Sequence, residues 1–156
     1  MKRVALVFAL AVTPLLFLTG CGDKFPVSIP GITGSGESDE QQIAAVLDDV
    51  QRGMQARRIF KVLAHVSHSY HDKDGRDYAA VERYLNLIFE RYRTIKINRV
   101  PPRITVQGER ALAVETYGTL AEPVNAAKDP PINLQGQISV YLQKVGGTWQ
   151  ITEWAN

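Results

Sequence analysis

Cysteine is almost absent from this chain: Cys21 is the only one, so no internal disulfide can form. A domain working in an oxidising compartment without disulfides rests on its apolar core alone. Long apolar runs are missing too. Residues 4–18 are apolar except for Thr13 and Pro14. That run falls short of the roughly 20 residues a spanning helix needs, and the proline removes a helix bond. Nor is there a surplus of one charge. The chain has 18 Lys and Arg against 16 Asp and Glu. Residues 1–20 carry Lys2 and Arg3 and no acid, which leaves 16 of each beyond them. Binding nucleic acid needs a concentrated basic surface, so no such partner is expected. Phosphate loops, nucleophile motifs and cofactor fingerprints are also absent, and no cofactor is implied.

What is present begins at the N-terminus. Lys2 and Arg3 precede the apolar run, the pattern of an export signal, and the run ends in Leu18-Thr19-Gly20-Cys21. The small Thr19 and Gly20 let a peptidase close around extended backbone ahead of Cys21. This stretch resembles the lipobox of bacterial lipoproteins, whose Leu-x-Gly/Ala-Cys pattern Leu18, Gly20 and Cys21 match. The resemblance implies a signal peptide over 1–20, cleavage after Gly20, a diacylglyceryl thioether on Cys21 and a third acyl chain on the new N-terminus. Two or more chains anchor a protein stably where one does so only marginally, so the membrane is an expected partner through Cys21. Residues 21–37 mix Gly, Pro, Ser and Thr without a period and read as a flexible tether. Gly22, rather than Asp, follows Cys21. Under the enterobacterial sorting rule that favours the outer membrane over the inner, with the domain facing the periplasm. The competing reading is an uncleaved signal anchor with an incidental cysteine.

Residues 38–156 suffice for one core and not two. Ser38 and Gln41 form a capping box, with Asp39 and Glu40 at the positive helix end. Ile43, Val46, Leu47, Val50 and Met54 then recur on one helical face, and Asp48 and Arg52 are spaced for an i,i+4 pair. A short helix is expected over Ile59–Val66. Asp74-Gly75 makes a turn, and Asp77 caps a third helix over about Tyr78–Tyr92. After Arg93 the apolar period changes from helical to alternating. Strands are expected around Ile95 and Ile97, Ile104 and Val106, Ala111–Leu120, Ile132–Gln143 and Thr148–Trp154. Leu112, Val114 and Leu120 are placed on the face opposite Glu115 and Tyr117. Pro101-Pro102 marks a kink or turn at a sheet edge, and Gly146-Gly147 a hairpin. Helices first and an antiparallel sheet afterwards make an α+β domain.

From about Asp39 to Trp154 the chain resembles the nuclear transport factor 2-like superfamily, which includes ketosteroid isomerases and SnoaL-type polyketide cyclases. The resemblance lies in the capped first helix, Tyr70–Gly75 (YHDKDG) before the long helix, Gly108-Glu109-Arg110-Ala111 opening a strand, and the closing Gly147-x-Trp149-x-Ile151. It implies a cystatin-like, cone-shaped antiparallel sheet curved around about three helices, often with a pocket at its open end. Function does not follow from that architecture.

His65, His68 and His71 are better read as surface or helix-end residues than as a metal site, because ligands must converge on one point. An EF-hand over Tyr70–Val81 fails in its ligand set. Tyr92, Glu115, Tyr117 and Trp154 are candidates to line a pocket. An isomerase-type mechanism would use Glu115 as base, but a solvated strand face explains a Glu–Tyr pair more simply, and no isomerase catalytic position is matched. The basic interval Arg91, Arg93, Lys96, Arg99, Arg103 and Arg110 reads as solvated strand edges. The leading expectation is a non-catalytic domain that binds a small apolar ligand or a cell-envelope protein. An isomerase, cyclase or dehydratase, or a homodimerisation module, are the alternatives. A buried Asp, Glu or His facing a pocket of roughly 300 Å3 or more would favour catalysis; a filled cone would favour protein interaction. Mass spectrometry of the mature N-terminus is expected to find Cys21 first and acylated, and a free Cys21 thiol would contradict it.

Overall fold

The computed structural model describes residues 36–155. The expected export signal, Cys21 and the expected tether as far as residue 35 lie outside the described residues. Helix α1 spans Asp39–Gln55 and starts from the expected capping box, the Ser38 hydroxyl accepting from the Gln41 N–H at 3.3 Å and Gln41 Oε1 from the Ser38 N–H at 2.9 Å. Its buried face carries Ile43, Val46 and Leu47, while Val50 and Met54 are partly exposed. Asp48 and Arg52 do not pair. Arg52 turns to Asp49 three residues back, and Asp48 is drawn to Arg99 on the sheet.

Helix α2 covers only Ile59–Leu63, shorter than the spacing suggests. Val66 leaves the helix for a bridge with Ile151, and the Ser67 N–H donates to the Ile151 carbonyl at 2.8 Å. Backbone pairing with the sheet therefore replaces the last helical turn. Arg57 links the helices. It takes a left-handed backbone (φ 54°) closing α1, and its guanidinium donates to the Phe89 and Arg93 carbonyls, satisfying groups at the far end of the third helix. That helix, α3, spans Tyr78–Arg91 and is capped by Asp77, whose Oδ1 accepts from the Ala80 N–H at 2.8 Å. Tyr92 is extended and opens the sheet instead of closing the helix.

Five antiparallel strands follow: β1 Tyr92–Arg99, β2 Arg103–Gln107, β3 Arg110–Pro123, β4 Ile132–Val145 and β5 Thr148–Ala155. They form a curved, unclosed sheet in the order β1-β3-β4-β5, with β2 also on β3. The long β3 is flanked in turn by β2 (residues 110–114) and β1 (residues 117–123), which are separated at Pro101-Pro102. The edge of β1 is covered by α1: Gln55 Oε1 accepts from the Ile97 N–H at 3.0 Å, and Gln51 Nε2 donates to the Ile97 carbonyl at 2.7 Å. Capping of this kind blunts an edge that would otherwise template pairing.

The inner face of β3 is the reverse of the sequence expectation. Ala111, Ala113 and Ala121 are buried there, and Glu115, Tyr117 and Thr119 share their side of the strand, while Leu112, Val114 and Leu120 point outward. Small inward residues leave room for α1 and for Trp149, which is 1% exposed. Hydrophobicity alone picks the wrong face because the concave side of a curved sheet selects for volume. Gly53 shows the same tightness between helices. A Cβ there would lie 2.8 Å from Val62 Cγ2 and 3.2 Å from the Val62 backbone nitrogen. Alanine ordinarily gains about 1 kcal/mol over glycine inside a helix. Here overpacking against a stiff β-branched side chain outweighs that. Gly53→Ala is expected to destabilise the domain by about 1–2 kcal/mol, read as a lower urea midpoint; a raised midpoint would contradict this packing.

Candidate functional site

The cone is open inside. A cavity of about 370 Å3 lies between α1, the start of α3 and the concave sheet. Leu47, Val50, Met54, Val81, Leu85, Ile97 and Ile138 supply aliphatic wall, and Tyr70, Tyr84, Tyr117 and Trp154 supply aromatic wall. Tyr84 is 56% exposed, which puts it at the rim. Val50 and Met54 are only partly buried because they face this space rather than another element.

A polar cluster around Arg99 interrupts the wall. The Arg99 side chain is 9% exposed and Glu115 13%. Arg99 and Tyr117 are opposite one another across β1 and β3, with Glu115 two residues along the same face. Arg99 Nη1 donates to Glu115 Oε1, Nη2 to Asp48 Oδ1, and Nε to Gln51 Oε1 at 2.6 Å. Burial pushes the Glu115 carboxyl up; the charge and hydrogen bond of Arg99 pull it down without cancelling that rise. Of the basic interval, Arg99 alone is drawn inward, while Arg91, Arg93, Lys96, Arg103 and Arg110 are exposed.

The second polar feature is the loop before α3. Asp72 is 3% exposed and accepts from the Asp74 and Arg76 N–H groups at 3.0 Å each, from Arg76 Nε at 2.7 Å and from the Tyr70 hydroxyl at 3.1 Å. Burial alone would raise its pKa; these donors, Arg76 foremost, overcome it and hold the carboxyl at about 2. The Tyr70 hydroxyl in turn accepts from the Trp154 N–H at 3.2 Å, and the two rings sit 5.6 Å apart. Burial pushes the Tyr70 hydroxyl pKa up. Gly75, at φ 75°, permits the turn.

Of the four residues expected to line a pocket, Glu115, Tyr117 and Trp154 border the cavity. Tyr92 does not; it is 7% exposed and donates its hydroxyl to the Pro130 carbonyl at 3.2 Å, bracing the β3–β4 loop. The solvated-face reading of Glu115 and Tyr117 is overturned by their inward side of β3. Sequence reasoning missed Arg99, Gln51, Tyr70 and Arg76. Alternation in β1 places Arg99 with Ile95 and Ile97, and that was the available signal for it. Trp154 reaches the cavity through a bulge: Tyr141 pairs with Glu153 and Leu142 with Ile151, leaving Thr152 extra. The histidines separate. His65 lies 3.3 Å from Asp49, His68 stacks on Tyr78 at 4.5 Å, and His71 is exposed.

The depressed Asp72 carboxyl has a definite pH signature. Its folded pKa lies below the ordinary carboxylate value near 3.8. Its stabilising contribution is therefore complete above that value and lost as pH falls from about 4 through 2. Glu115, shifted upward, has the opposite sign. Asp72→Asn is expected to shallow the loss of urea stability between about pH 5 and pH 2; mutant and parent curves that run parallel there would contradict the assignment.

No family model matches the chain, and no curated protein matches it by sequence. Solved structures do match. A nuclear transport factor 2-like superfamily protein from Salmonella enterica serovar Typhimurium aligns with a TM-score of 0.62 at 15% identity, over 75% of this chain and 89% of that one. A hexachlorocyclohexane dehydrochlorinase, LinA-type3, from Novosphingobium barchaimii aligns with a TM-score of 0.61 at 12% identity, over 72% and 81%. A cystatin-like protein of unknown function from Nostoc punctiforme aligns at 0.59 and 9% identity, over 74% and 87%. Other matching structures carry dehydratase and aromatic ring hydroxylase names. At these identities the likeness concerns the fold: the described domain has the nuclear transport factor 2-like, cystatin-like architecture.

Proposed function

We propose that this chain is a lipid-anchored protein of the cell envelope whose domain binds a small apolar molecule in its cone, without catalysis. The observation that carries the binding reading is the cavity, about 370 Å3 with a mainly aliphatic and aromatic wall. Small-molecule sites have that size and character, with few polar groups fixing orientation. An open cone supports a small ligand over a docked envelope protein. The anchor rests on Leu18–Cys21 and the tether, and the outer-membrane, periplasm-facing placement on Gly22. The absence of chemistry rests on Glu115, the one carboxylate of the wall, whose Oε1 is engaged by Arg99. A paired carboxylate is a weaker base than a free one in the same apolar setting.

A second reading is favoured by one observation. Glu115 is a largely buried carboxylate facing a cavity above 300 Å3, the setting in which a base is raised towards neutrality. An isomerase, cyclase or dehydratase would use it to take a proton from a carbon acid. One structure of similar fold is named as a dehydrochlorinase.

Native mass spectrometry of the chain released from its own envelope decides between them. The expected result is one small apolar adduct, unchanged with time and lost when Ile138→Trp fills the cavity. No adduct on the parent would contradict binding. A time-dependent mass change in the adduct that Glu115→Gln abolishes would establish the enzyme reading instead.

A further inference from the structure

The corner where α1 turns into α2 has a composition that the cavity does not explain. Residues 52–61 hold Arg52, Arg57, Arg58 and Lys61 and no acid. One carboxylate reaches them: Asp49 pairs with Arg52 and, at 3.6 Å, with Lys61. Among the described residues no acid pairs with Arg57 or Arg58. Arg57 donates to the Phe89 and Arg93 carbonyls, which engages its guanidinium without an opposing charge. Cations near a helix C-terminus complement its dipole, and that accounts for part of the cluster. It does not account for Phe60. With 81% of its surface exposed, Phe60 is the most exposed large apolar side chain among the described residues. Helix α2 buries Val62 and Leu63, and the helical period sets Phe60, Lys61 and Ala64 on its other side. Phe60 and Ala64 are exposed there.

An aromatic ring held out in water among cations is the composition of a surface that seats in a lipid interface, the ring among acyl chains and the cations among headgroup phosphates. The anchor expected at Cys21 brings such a surface to lipid. Residues 21–35 reach at most about 50 Å when extended, and α1 is about 25 Å long. An attachment ahead of α1 therefore does not hold its far corner away from the bilayer. We infer that the α1–α2 corner docks the domain on a membrane carrying anionic lipid, Phe60 entering the interface and Arg57, Arg58 and Lys61 meeting headgroup phosphates. This rests on the reading of the chain as lipid-anchored and names the face that the domain turns to the bilayer. Contacts of this kind are weak one by one. Beside an anchor they form within a single assembly, at high effective concentration, and weak contacts then suffice. An acidic protein would match the cations, but the anchor puts lipid within reach and a bilayer needs no dedicated pocket for the ring.

The test places an indole at the corner with Phe60→Trp in the full chain, made in its native source. The chain is held in nanodiscs of phosphatidylcholine, or of an equal mixture with phosphatidylglycerol, with brominated acyl chains as quencher. The parent, whose Trp149 is 1% exposed, is the blank. The introduced indole is expected to be quenched at least about twofold more in the mixed discs than in the neutral ones. Arg58→Glu with Lys61→Glu is expected to bring quenching down to the neutral level, folding being checked by near-ultraviolet circular dichroism. Should that variant misfold, a salt series on Phe60→Trp alone decides: added salt is expected to weaken the quenching, and indifference to salt would contradict the inference. No quenching in the mixed discs, equal quenching in both, or quenching that survives the charge reversals in a folded protein would overturn the inference and leave the anchor standing. A chain that enters neither kind of disc would remove the anchor and the inference with it. Poly-glutamate that shifts the indole emission in neutral discs as strongly as anionic lipid does would assign the corner to an acidic protein and overturn the lipid docking.

Discussion

The Arg99 guanidinium is the point on which the open cone depends. It starts on the edge strand β1, passes under α1 to meet Asp48 and Gln51, and reaches Glu115 on β3. Three elements are thereby held at fixed separations around a space that no side chain fills. Removing one partner of such a buried pair typically costs about 3–5 kcal/mol, because the other is left uncompensated. A pair of aliphatic residues could have packed this region more cheaply. Keeping the pair ties α1 to β1 and β3 beside the cavity.

The wall opposite is built by a different device. Asp72 gathers four donors in one loop and positions the Tyr70 hydroxyl, and Tyr70 accepts from the backbone of Trp154. The extra residue Thr152 shifts the phase of β5, so that Ile151 and Trp154 both point inward. At the other end of the domain Asp39 accepts from Lys144 Nζ at 2.6 Å and Trp149 Nε1 at 3.1 Å, sealing the closed end of the cone where α1 begins. One end is packed and the other open, and the division falls on β3 between Ala113 and Glu115.

Much of this was legible in the sequence. The capping box at Ser38, the stripe of α3, the alternation of β4 and the Gly146-Gly147 hairpin are local signals, and local signals survive folding. Glu115, Tyr117 and Trp154 border the cavity, but for want of tertiary information the strand face of Glu115 and Tyr117 was misjudged. Alternation gives two faces and does not say which is concave. On β3 the larger apolar residues went outward and alanines inward, so ranking faces by hydrophobicity inverted the answer. Tyr92 was misplaced for a related reason: the helix stripe continues through it in register, and only the pull of the sheet on β1 shows where the helix stops. Asp72 and Arg99 were invisible as partners because their contacts come from the loop geometry and from a helix about fifty residues away.

The central claim is that the cone holds a preformed small-molecule cavity kept open by the Arg99–Glu115 tie. A crystal structure of the chain purified from its native source tests it most directly. The account predicts density for a bound molecule between Ile97, Glu115 and Trp154, with Arg99 bridging Glu115 and Asp48 behind it. A structure in which Met54, Tyr84 and Trp154 close on one another and fill that space would contradict it.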